Sequence, residues 1–382
     1  MNNYLATLFL FLSITTTVKS QENQTISFAN SQWVDTLSAD NKQILHSLDQ
    51  FLNTKNQHFQ ENEFWISSDF ERFKYPFYEI IGLEYDRNYN ITKEINLMEI
   101  YDINENEKLI KLGYLEPDSI KNTTTIQVIY NIIATKSEGP WKFKRAVDYI
   151  TRDWQKLQQG SILYYLPPGK IPNEKEIELQ LQDISQICSF FDTSPFEISY
   201  YSCNSPKQVF EVKGFDYHPS MLISETGGMA AYGNIIYSGN NSEFYTHEIV
   251  HIYTMNLYPK APQILNEGLA TFLGGSGKND YSWHRNNFSK YMDTSKIDLS
   301  EHMQPFERLY INDETPIPYM IGALICERTL RIYGKASLLK LLNPELTLWP
   351  SLNEVGLNKK NLTLEIKNEL KLSLITKHSF CR

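Results

Sequence analysis

Residues 247–251 read His-Glu-Ile-Val-His, and this stretch decides what the second half of the chain is expected to form. On a helix, His247 and His251 lie one turn apart on the same face, so both imidazoles can reach one ion about 2 Å away. Glu248 points into the same cleft without ligating, where a carboxylate can accept a proton from water. The spacing therefore predicts a helix that carries a metal site.

The residues around this motif predict where the helix begins and ends. Asn241 and Ser242 are residue types that cap helix N-termini, and Tyr258-Pro259 closes the apolar run that follows. We therefore expect the helix to begin after a cap at Asn241-Ser242 and to end at Tyr258.

A third ligand is expected on the next helix, where residues 265–270 read Leu-Asn-Glu-Gly-Leu-Ala. Glu267 follows the second histidine by 16 positions, and three protein ligands leave one position open for water, as in catalytic zinc sites. The small Gly268 and Ala270 would let this helix pack close to the first. Thr271, one turn after Glu267, is a candidate partner that would orient the carboxylate.

Other side chains could join this site. Tyr319 opens another apolar helix, and a phenol beside a hydrated metal could donate a hydrogen bond to an oxyanion; most of the 24 tyrosines must nevertheless be packing residues. His284 and His302 also follow Glu267 and could compete with it as ligands. Neither lies at helical spacing from the histidine pair, so surface or core positions are favoured for both.

Together, the two stretches resemble the gluzincin metallopeptidases, which are thermolysin-like and aminopeptidase-N-like zinc enzymes. The resemblance implies one zinc ion per chain, held by His247, His251 and Glu267. It also implies that Glu248 is the general base. Tyr319 begins a Tyr-x-x-Gly-Ala-Leu segment similar to the one that carries the oxyanion-stabilising tyrosine in the aminopeptidase-N branch.

One departure from that family bears on specificity. The aminopeptidases have Gly-x-Met-Glu-Asn before the zinc helix, whose Glu binds the substrate amine, whereas residues 227–233 here read Gly-Gly-Met-Ala-Ala-Tyr-Gly. The amine anchor is then replaced by Ala230, which favours an endopeptidase over an aminopeptidase. Residues 233–239 are expected to form a short edge strand, either pairing with an extended substrate or serving as an ordinary sheet edge.

The N-terminus has the features of an export signal. Residues 4–18 are apolar and uncharged, yet too short for the roughly 20 residues that span a bilayer. Small or β-branched residues at Val18 and Ser20 precede a polar stretch, which predicts a signal peptide over residues 1–20 cleaved near Ser20. The mature chain is then secreted or periplasmic, without a stable membrane span; an uncleaved anchor is the alternative.

Four cysteines remain, and an exported chain permits disulfides among them. They allow three full pairings, and none has the C-x-x-C spacing of zinc or redox motifs. For Cys188 and Cys326, which lie in apolar helical stretches, a buried thiol and a disulfide are equally favoured. The pairing of these two with Cys203 and Cys381 is left open.

Composition excludes several classes of protein. With 382 residues, of which 41% are hydrophobic, the chain can form one large domain or two ordinary ones. Lys and Arg total 36 and Asp and Glu total 45, giving a formal net charge of −9. An acidic chain without a dense basic stripe argues against nucleic acid as a partner.

The first half of the chain predicts an α+β module over residues 21–158. Helical spacing runs from Leu37 to Phe51, with Asp35 or Ser38 as the cap. Three alternating, β-branched stretches follow, over residues 97–101, 108–114 and 125–134. A helix followed by an antiparallel meander is similar in element order to nuclear-transport-factor-2-like and cystatin-like folds.

A second domain is expected over residues 159–382, opening β-α-β. Residues 161–166 and 196–201 read as strands, and Asn173 with Glu176 has the spacing of a reciprocal helix cap. The fold class is therefore α+β, with a helix-plus-antiparallel-sheet module followed by a thermolysin-like, gluzincin zinc peptidase domain.

These patterns predict an exported zinc-dependent metallopeptidase, a hydrolase acting on peptide or protein substrates through activated water. The alternative is a non-catalytic surface protein that binds zinc or peptide with a peptidase-like fold. A zinc hydrolase with a non-peptide substrate also fits, since the motif specifies activated water and not the bond attacked.

Overall fold

The computed structural model describes residues 26–375, apart from positions 87, 119 and 138. The predicted signal peptide over residues 1–20 and Cys381 lie outside the described residues. Within the described residues the chain is a mixed α+β protein with 13 strands and 11 α-helices.

The strands, in chain order, are β1 (Phe28–Asn30), β2 (Glu94–Asn104), β3 (Glu107–Asp118), β4 (Thr123–Thr135), β5 (Lys142–Arg145), β6 (Gln155–Gln159), β7 (Ile162–Leu166), β8 (Ile198–Ser202), β9 (Phe215–Tyr217), β10 (Gly228–Ala231), β11 (Ile235–Ser238), β12 (Tyr310–Ile311) and β13 (Thr315–Pro316). The helices are α1 (Ala39–Thr54), α2 (Ser67–Phe73), α3 (Val147–Ile150), α4 (Glu174–Phe191), α5 (Pro206–Val212), α6 (Thr246–Leu257), α7 (Gln263–Gly274), α8 (Tyr281–Thr294), α9 (Ile317–Leu342), α10 (Leu348–Glu354) and α11 (Leu362–Leu370).

The chain divides into two units. Unit 1 comprises the chain up to Gln155 together with Cys203–Glu225, and unit 2 comprises Lys156–Ser202 and the chain from Thr226 onward. The predicted single boundary at residue 158 therefore assigns the segment 203–225 to the second domain, whereas this segment belongs to unit 1. That segment belongs there because β9 pairs with β4, a contact between residues about 85 positions apart that no local pattern reveals.

Unit 1 contains a sheet in the order β1-β2-β3-β4-β5, with β9 added to β4. β1 is parallel to β2, and β2 to β5 form the antiparallel meander expected from the sequence. α1 is capped by Ser38, whose hydroxyl accepts from Asn41 N–H. Phe51 of α1 lies in the core with Phe143 of β5, their rings 5.5 Å apart.

Unit 2 contains a sheet in the order β10-β11-β8-β7-β6. β7, β8 and β11 are parallel and β10 is antiparallel to β11; α4 connects β7 to β8, as the β-α-β prediction requires. The expectation that residues 233–239 form the edge was wrong, because β11 pairs on both sides. The edge strand beside it is β10.

Only one of the two hydrogen bonds in the predicted reciprocal cap of α4 is present. Asn173 Oδ1 accepts from Glu176 N–H at 3.3 Å, but the Glu176 carboxylate accepts from Ser242 Oγ and Glu243 N–H. The Asn173 N–H in turn donates to the Glu243 carboxylate. The loop before α6 thus supplies partners that replace the reciprocal bond.

α6 ends where the sequence predicts but begins later. Tyr258 follows its last residue, whereas the N-cap is Tyr245 rather than Asn241 or Ser242. The Tyr245 N–H donates to Gln180 Oε1 at 2.6 Å, and Thr246 Oγ1 donates to Asp183 at 2.6 Å. Side chains of α4 therefore bind the backbone of the N-cap residue and the first side chain of α6, and these partners are distant in the sequence.

Cys188 and Cys326 are free, buried thiols, and Cys203 is also buried. Cys188 Sγ lies 3.2 Å from the Tyr253 hydroxyl. Of the two interpretations of Cys188 and Cys326, the buried thiol is the one the structure shows. Within residues 26–375, the helices also lack the length and apolar character required to cross a membrane.

Candidate metal centre

Three side chains converge at one point in unit 2. His247 Nε2 lies 3.1 Å from His251 Nε2 and 3.3 Å from Glu267 Oε2, and His251 Nε2 lies 3.5 Å from the same oxygen. All three residues are buried. A tetrahedral ion with bonds of about 2.05 Å separates its ligand atoms by about 3.3 Å. This group can therefore hold a metal ion, and it brings together the three ligands expected from the sequence.

The outer nitrogen of each imidazole has an oxygen partner that fixes the ring. His247 Nδ1 lies 2.7 Å from the Gly275 carbonyl oxygen, and His251 Nδ1 lies 3.2 Å from Asn266 Oδ1. A carbonyl oxygen only accepts, so each Nδ1 carries a proton, and when the ring is neutral its Nε2 can offer a lone pair to a metal ion. Thr254 Oγ1 also donates to Asn266 Oδ1, at 2.5 Å, which holds the amide in place.

Glycines bring the helices of the site together. A Cβ on Gly274 would lie 2.4 Å from His247 N, so only glycine lets the end of α7 approach the start of α6. A Cβ on Gly268 would lie 2.2 Å from the carbonyl carbon of Gly322 in α9. Gly268 therefore packs against α9. It had been expected to pack against the histidine helix.

The cluster attracts positive charge. Burial would raise the pKa of the Glu267 carboxyl, but the two imidazoles lower it below its ordinary range. Burial likewise opposes charge on His251, yet the Glu267 carboxylate raises its pKa to about 9. Two imidazole nitrogens and one carboxylate oxygen form a donor set that suits zinc.

Glu248 lies buried beside the ligands, and it does not belong to the group of ligand atoms. Its Oε2 accepts from the Ala230 N–H of β10 at 2.7 Å. Burial, followed by the charge of Glu248, raises the pKa of the Tyr245 phenol well above its usual value. The sequence reasoning missed Tyr245, because the motif specifies no residue at that position and a tyrosine at a helix start carries no distinctive signal.

Tyr319 reaches the same cluster from the first turn of α9. Its ring is stacked beside that of His247, with centroids 6.0 Å apart and planes 15° apart. Its phenol lies close enough to Glu267 to interact with the charge of that carboxylate. Burial, followed by the charge of Glu267, raises the pKa of the Tyr319 phenol well above its usual value, so the phenol stays protonated and can donate.

The other expected participants lie elsewhere. His284 is bonded through Nδ1 to Thr315 Oγ1 at 2.9 Å and through Nε2 to the Ser276 carbonyl at 2.8 Å. His302 is bonded to Glu307 at 2.9 Å. Thr271 was expected to support Glu267, but among the described atoms its buried hydroxyl has no hydrogen-bond partner.

Comparison with known proteins does not identify the chain. No protein-family model matches it. No curated protein is significantly similar to it. The functional assignment therefore depends on the geometry described above and on the chemistry that its residues can perform.

Proposed function

We propose that this protein is an exported, zinc-dependent peptidase whose second unit has a thermolysin-like, gluzincin fold. The observation that carries the proposal is the triangle of His247, His251 and Glu267, with ligand atoms 3.1 to 3.5 Å apart. Glu248 and Tyr319 lie beside it, as hydrolysis of a carbonyl compound requires. A structural zinc site would instead have four protein ligands.

The ligand residues would hold the metal, and a bound zinc ion would supply Lewis acidity toward a carbonyl oxygen and a water molecule. Glu248 would accept the proton of the attacking water and deliver it to the leaving amine. The bond from Ala230 N–H holds one oxygen of its carboxylate while leaving lone pairs for that proton.

Tyr319 would assist at the carbonyl oxygen. Its hydroxyl stays protonated beside Glu267 and would donate a hydrogen bond to a developing oxyanion. Since α9 touches α7 at Gly322 and Gly268, the position of the phenol relative to Glu267 is closely fixed. A preorganised donor of this kind stabilises the transition state more than the ground state.

The edge strand favours internal cleavage of peptides. β10 lies at the sheet edge and its Ala230 is bonded to Glu248, so an extended substrate adding to this edge would pass the general base. The methyl group of Ala230 cannot bind the ammonium group of a substrate N-terminus. An endopeptidase is therefore favoured over an aminopeptidase.

The test is cleavage of a broad peptide library by the zinc-loaded mature chain and by Glu248→Gln. We expect cleavage by the wild type, and zinc retention with at least a ~100-fold loss of turnover in the variant. Glu197→Gln, at an exposed position, is the matched control and should remain active.

The remaining outcomes separate the alternatives. Zinc binding without cleavage of any peptide would indicate the non-catalytic binding protein, whereas cleavage of ester or amide panels alone would indicate a non-peptide hydrolase. Full activity of Glu248→Gln would overturn the mechanism. N-terminal sequencing of exported protein, expected to begin at Gln21, tests the localisation.

A further inference from the structure

The orientation of His247 depends on the short turn between α7 and α8, residues 275–279, which we call the glycine turn. Gly275 supplies the carbonyl oxygen that lies 2.7 Å from His247 Nδ1. The same peptide group donates through Ser276 N–H to the Asn279 carbonyl oxygen at 3.0 Å. One ring of the candidate metal centre is therefore held by a single peptide plane of this turn.

The glycine turn depends on hydrogen bonds for its rigidity. Gly275 and Gly277 have φ angles of +79° and +58°, and glycine has more conformational freedom than any other residue. A stiffer residue does not fit at the first position, because a Cβ on Gly275 would lie 2.2 Å from the Asn279 carbonyl oxygen. Glycine thus lets the turn close tightly, and the direction of the Gly275 carbonyl is left to the bonds around it.

His284 supplies one such bond from α8. Its Nε2 lies 2.8 Å from the Ser276 carbonyl oxygen, which is the next carbonyl along the chain after that of Gly275. A carbonyl oxygen only accepts, so Nε2 donates. The Asn279 N–H also donates to this oxygen, at 3.2 Å, but that bond lies within the turn and moves with it. His284 is fully buried, so its ring anchors the turn to a packed helix.

The other side of the His284 ring is fixed as well. Its Nδ1 lies 2.9 Å from Thr315 Oγ1, and Thr315 is also fully buried. Thr315 belongs to β13, which is followed directly by α9. From α9, the Tyr319 ring stacks beside that of His247. His284 therefore connects the glycine turn to the segment that leads to Tyr319.

We propose that His284 is a positioning residue: it holds the glycine turn so that the Gly275 carbonyl keeps the His247 imidazole directed at the metal. The proposal rests on the metal centre of the function proposed above, and not on the substrate. Direct hydrogen-bond partners of a ligating histidine change metal affinity by about 10- to 100-fold. His284 acts through the turn, so we expect an effect at or below the lower end of that range.

Two substitutions separate the two bonds of His284. His284→Asn places an amide near the position of Nδ1, which keeps a partner for Thr315 and loses the donor to Ser276. His284→Gln reaches the position of Nε2 and keeps that donor. By competition with a chelator, we expect zinc affinity to fall about 3- to 10-fold in His284→Asn and by less than about twofold in His284→Gln. His302→Asn is the matched control, because its ring is bonded to Glu307 instead.

Proton exchange measured by NMR reports the orientation of the ring directly. His247 and His251 each have an Nδ1 beside a fixed oxygen. In the zinc-loaded His284→Asn chain, we expect the His247 Nδ1 proton to exchange with solvent at least about threefold faster. The His251 proton, held by Asn266, should not change and is the internal control. If His284→Asn does not fold, Thr315→Val, which removes the other partner of the ring, is measured in the same way.

The outcomes distinguish this inference from the proposed function. Equal loss of affinity in His284→Asn and His284→Gln, or equal acceleration at both protons, would mean that His284 only stabilises the fold, and would overturn the proposal. Unchanged affinity and exchange would also overturn it. The expected pattern in a zinc-loaded chain that cleaves no peptide would support the role of His284 and overturn the peptidase assignment alone. A wild-type chain that binds no zinc would overturn both.

Discussion

Each unit buries a cluster of charged groups, and the two clusters are neutralised in different ways. In unit 1, Lys55 and Glu84 are both fully buried and form an ion pair at 2.8 Å. In unit 2, Glu267 is also buried, but it faces His247 and His251, which are charged only when protonated. The pair in unit 1 is complete in itself, whereas the cluster in unit 2 requires a proton or a metal ion.

The difference extends to the surroundings of each cluster. The Lys55 ammonium also donates to Asn56 Oδ1 and to the Ile80 carbonyl oxygen, so its three protons are all used. The Nε2 atoms of His247 and His251 point at each other across 3.1 Å, although each ring already donates through Nδ1 to a fixed oxygen. The structural ion pair satisfies all of its donors with oxygen atoms of the protein. In the candidate metal site, the two Nε2 atoms instead point toward the place that a metal ion would occupy.

The largest expected effect is the loss of zinc in Glu267→Ala. Removing the only anionic ligand leaves two neutral imidazoles, so we expect about one zinc per wild-type chain and little in the variant. Elemental mass spectrometry of the purified mature chain measures this, with Glu197→Ala as the control at an exposed position. Zinc retained at full strength in Glu267→Ala would mean that the third ligand is wrong, and His284 and His302 would be tested next.

Single and double substitutions in the ion pair of unit 1 should lower the free energy of unfolding by different amounts. Lys55→Met leaves the Glu84 carboxylate buried without its cation, and we expect the free energy of unfolding to fall by about 3 to 5 kcal/mol. Lys55→Met combined with Glu84→Met should recover most of that loss. Urea unfolding of the full chain measures both, and zinc content should not change. A double variant as unstable as the single one would contradict the comparison.

Asn266→Ala tests whether the fixed imidazole matters for the metal. Loss of the oxygen that orients His251 should weaken zinc binding by about 10- to 100-fold without abolishing it. Competition with a chelator of known affinity measures the change. Asn256→Ala, at the exposed end of α6 where the amide bonds to Asn234, is the matched control. An unchanged zinc affinity in Asn266→Ala would show that Thr254 and packing suffice to hold the ring.

The smallest expected effect concerns His218, a half-buried histidine that does not belong to the candidate metal centre. Burial, with the nearby Lys213, lowers the pKa of His218 to about 4, the opposite of the shift at His251. Because the folded pKa lies below the unfolded value, this group stabilises the fold at neutral pH and the contribution is lost as the pH falls from about 6.5 toward 4.

Between pH 7 and pH 5, protonation linked to His218 should lower the free energy of unfolding by about 1 to 2 kcal/mol. His218→Asn keeps an acceptor for the Ser220 N–H that now donates to Nδ1, and should remove that part of the pH dependence. Urea unfolding at the two pH values measures it, with His46→Asn as an exposed control. An equal pH dependence in His218→Asn and wild type would show that His218 is not the group responsible.

Sequence patterns predicted the local features well. The i, i+4 histidines, the cap at Ser38 and the end of α6 at Tyr258 all follow from interactions within a few residues. The prediction failed where distant parts of the chain provide the partner. Gly268 packs on α9, and Gln180 of α4 binds the N–H of Tyr245, the N-cap residue of α6.

The position of β10 at the sheet edge was missed for a related reason. Residues 228–231 and 235–238 are both short and apolar, and only the parallel pairing of β11 with β8 decides which is internal. The role of Asn266 likewise depends on its contact with His251, which forms only in the folded chain. No spacing rule covers such contacts.

The return of residues 203–225 to unit 1 has a consequence for how the chain is made. During synthesis, β7, α4 and β8 leave the ribosome before β9 does. The sheet of unit 1 therefore cannot be completed until part of unit 2 has been translated. Until then the Ile129–Tyr130 edge of β4 lacks its partner, and Glu79 lacks the Lys213 ammonium that approaches it within 3.9 Å. A gene fragment that stops at residue 158 would therefore encode an incomplete unit 1, and the shortest fragment encoding all of unit 1 runs through residue 225.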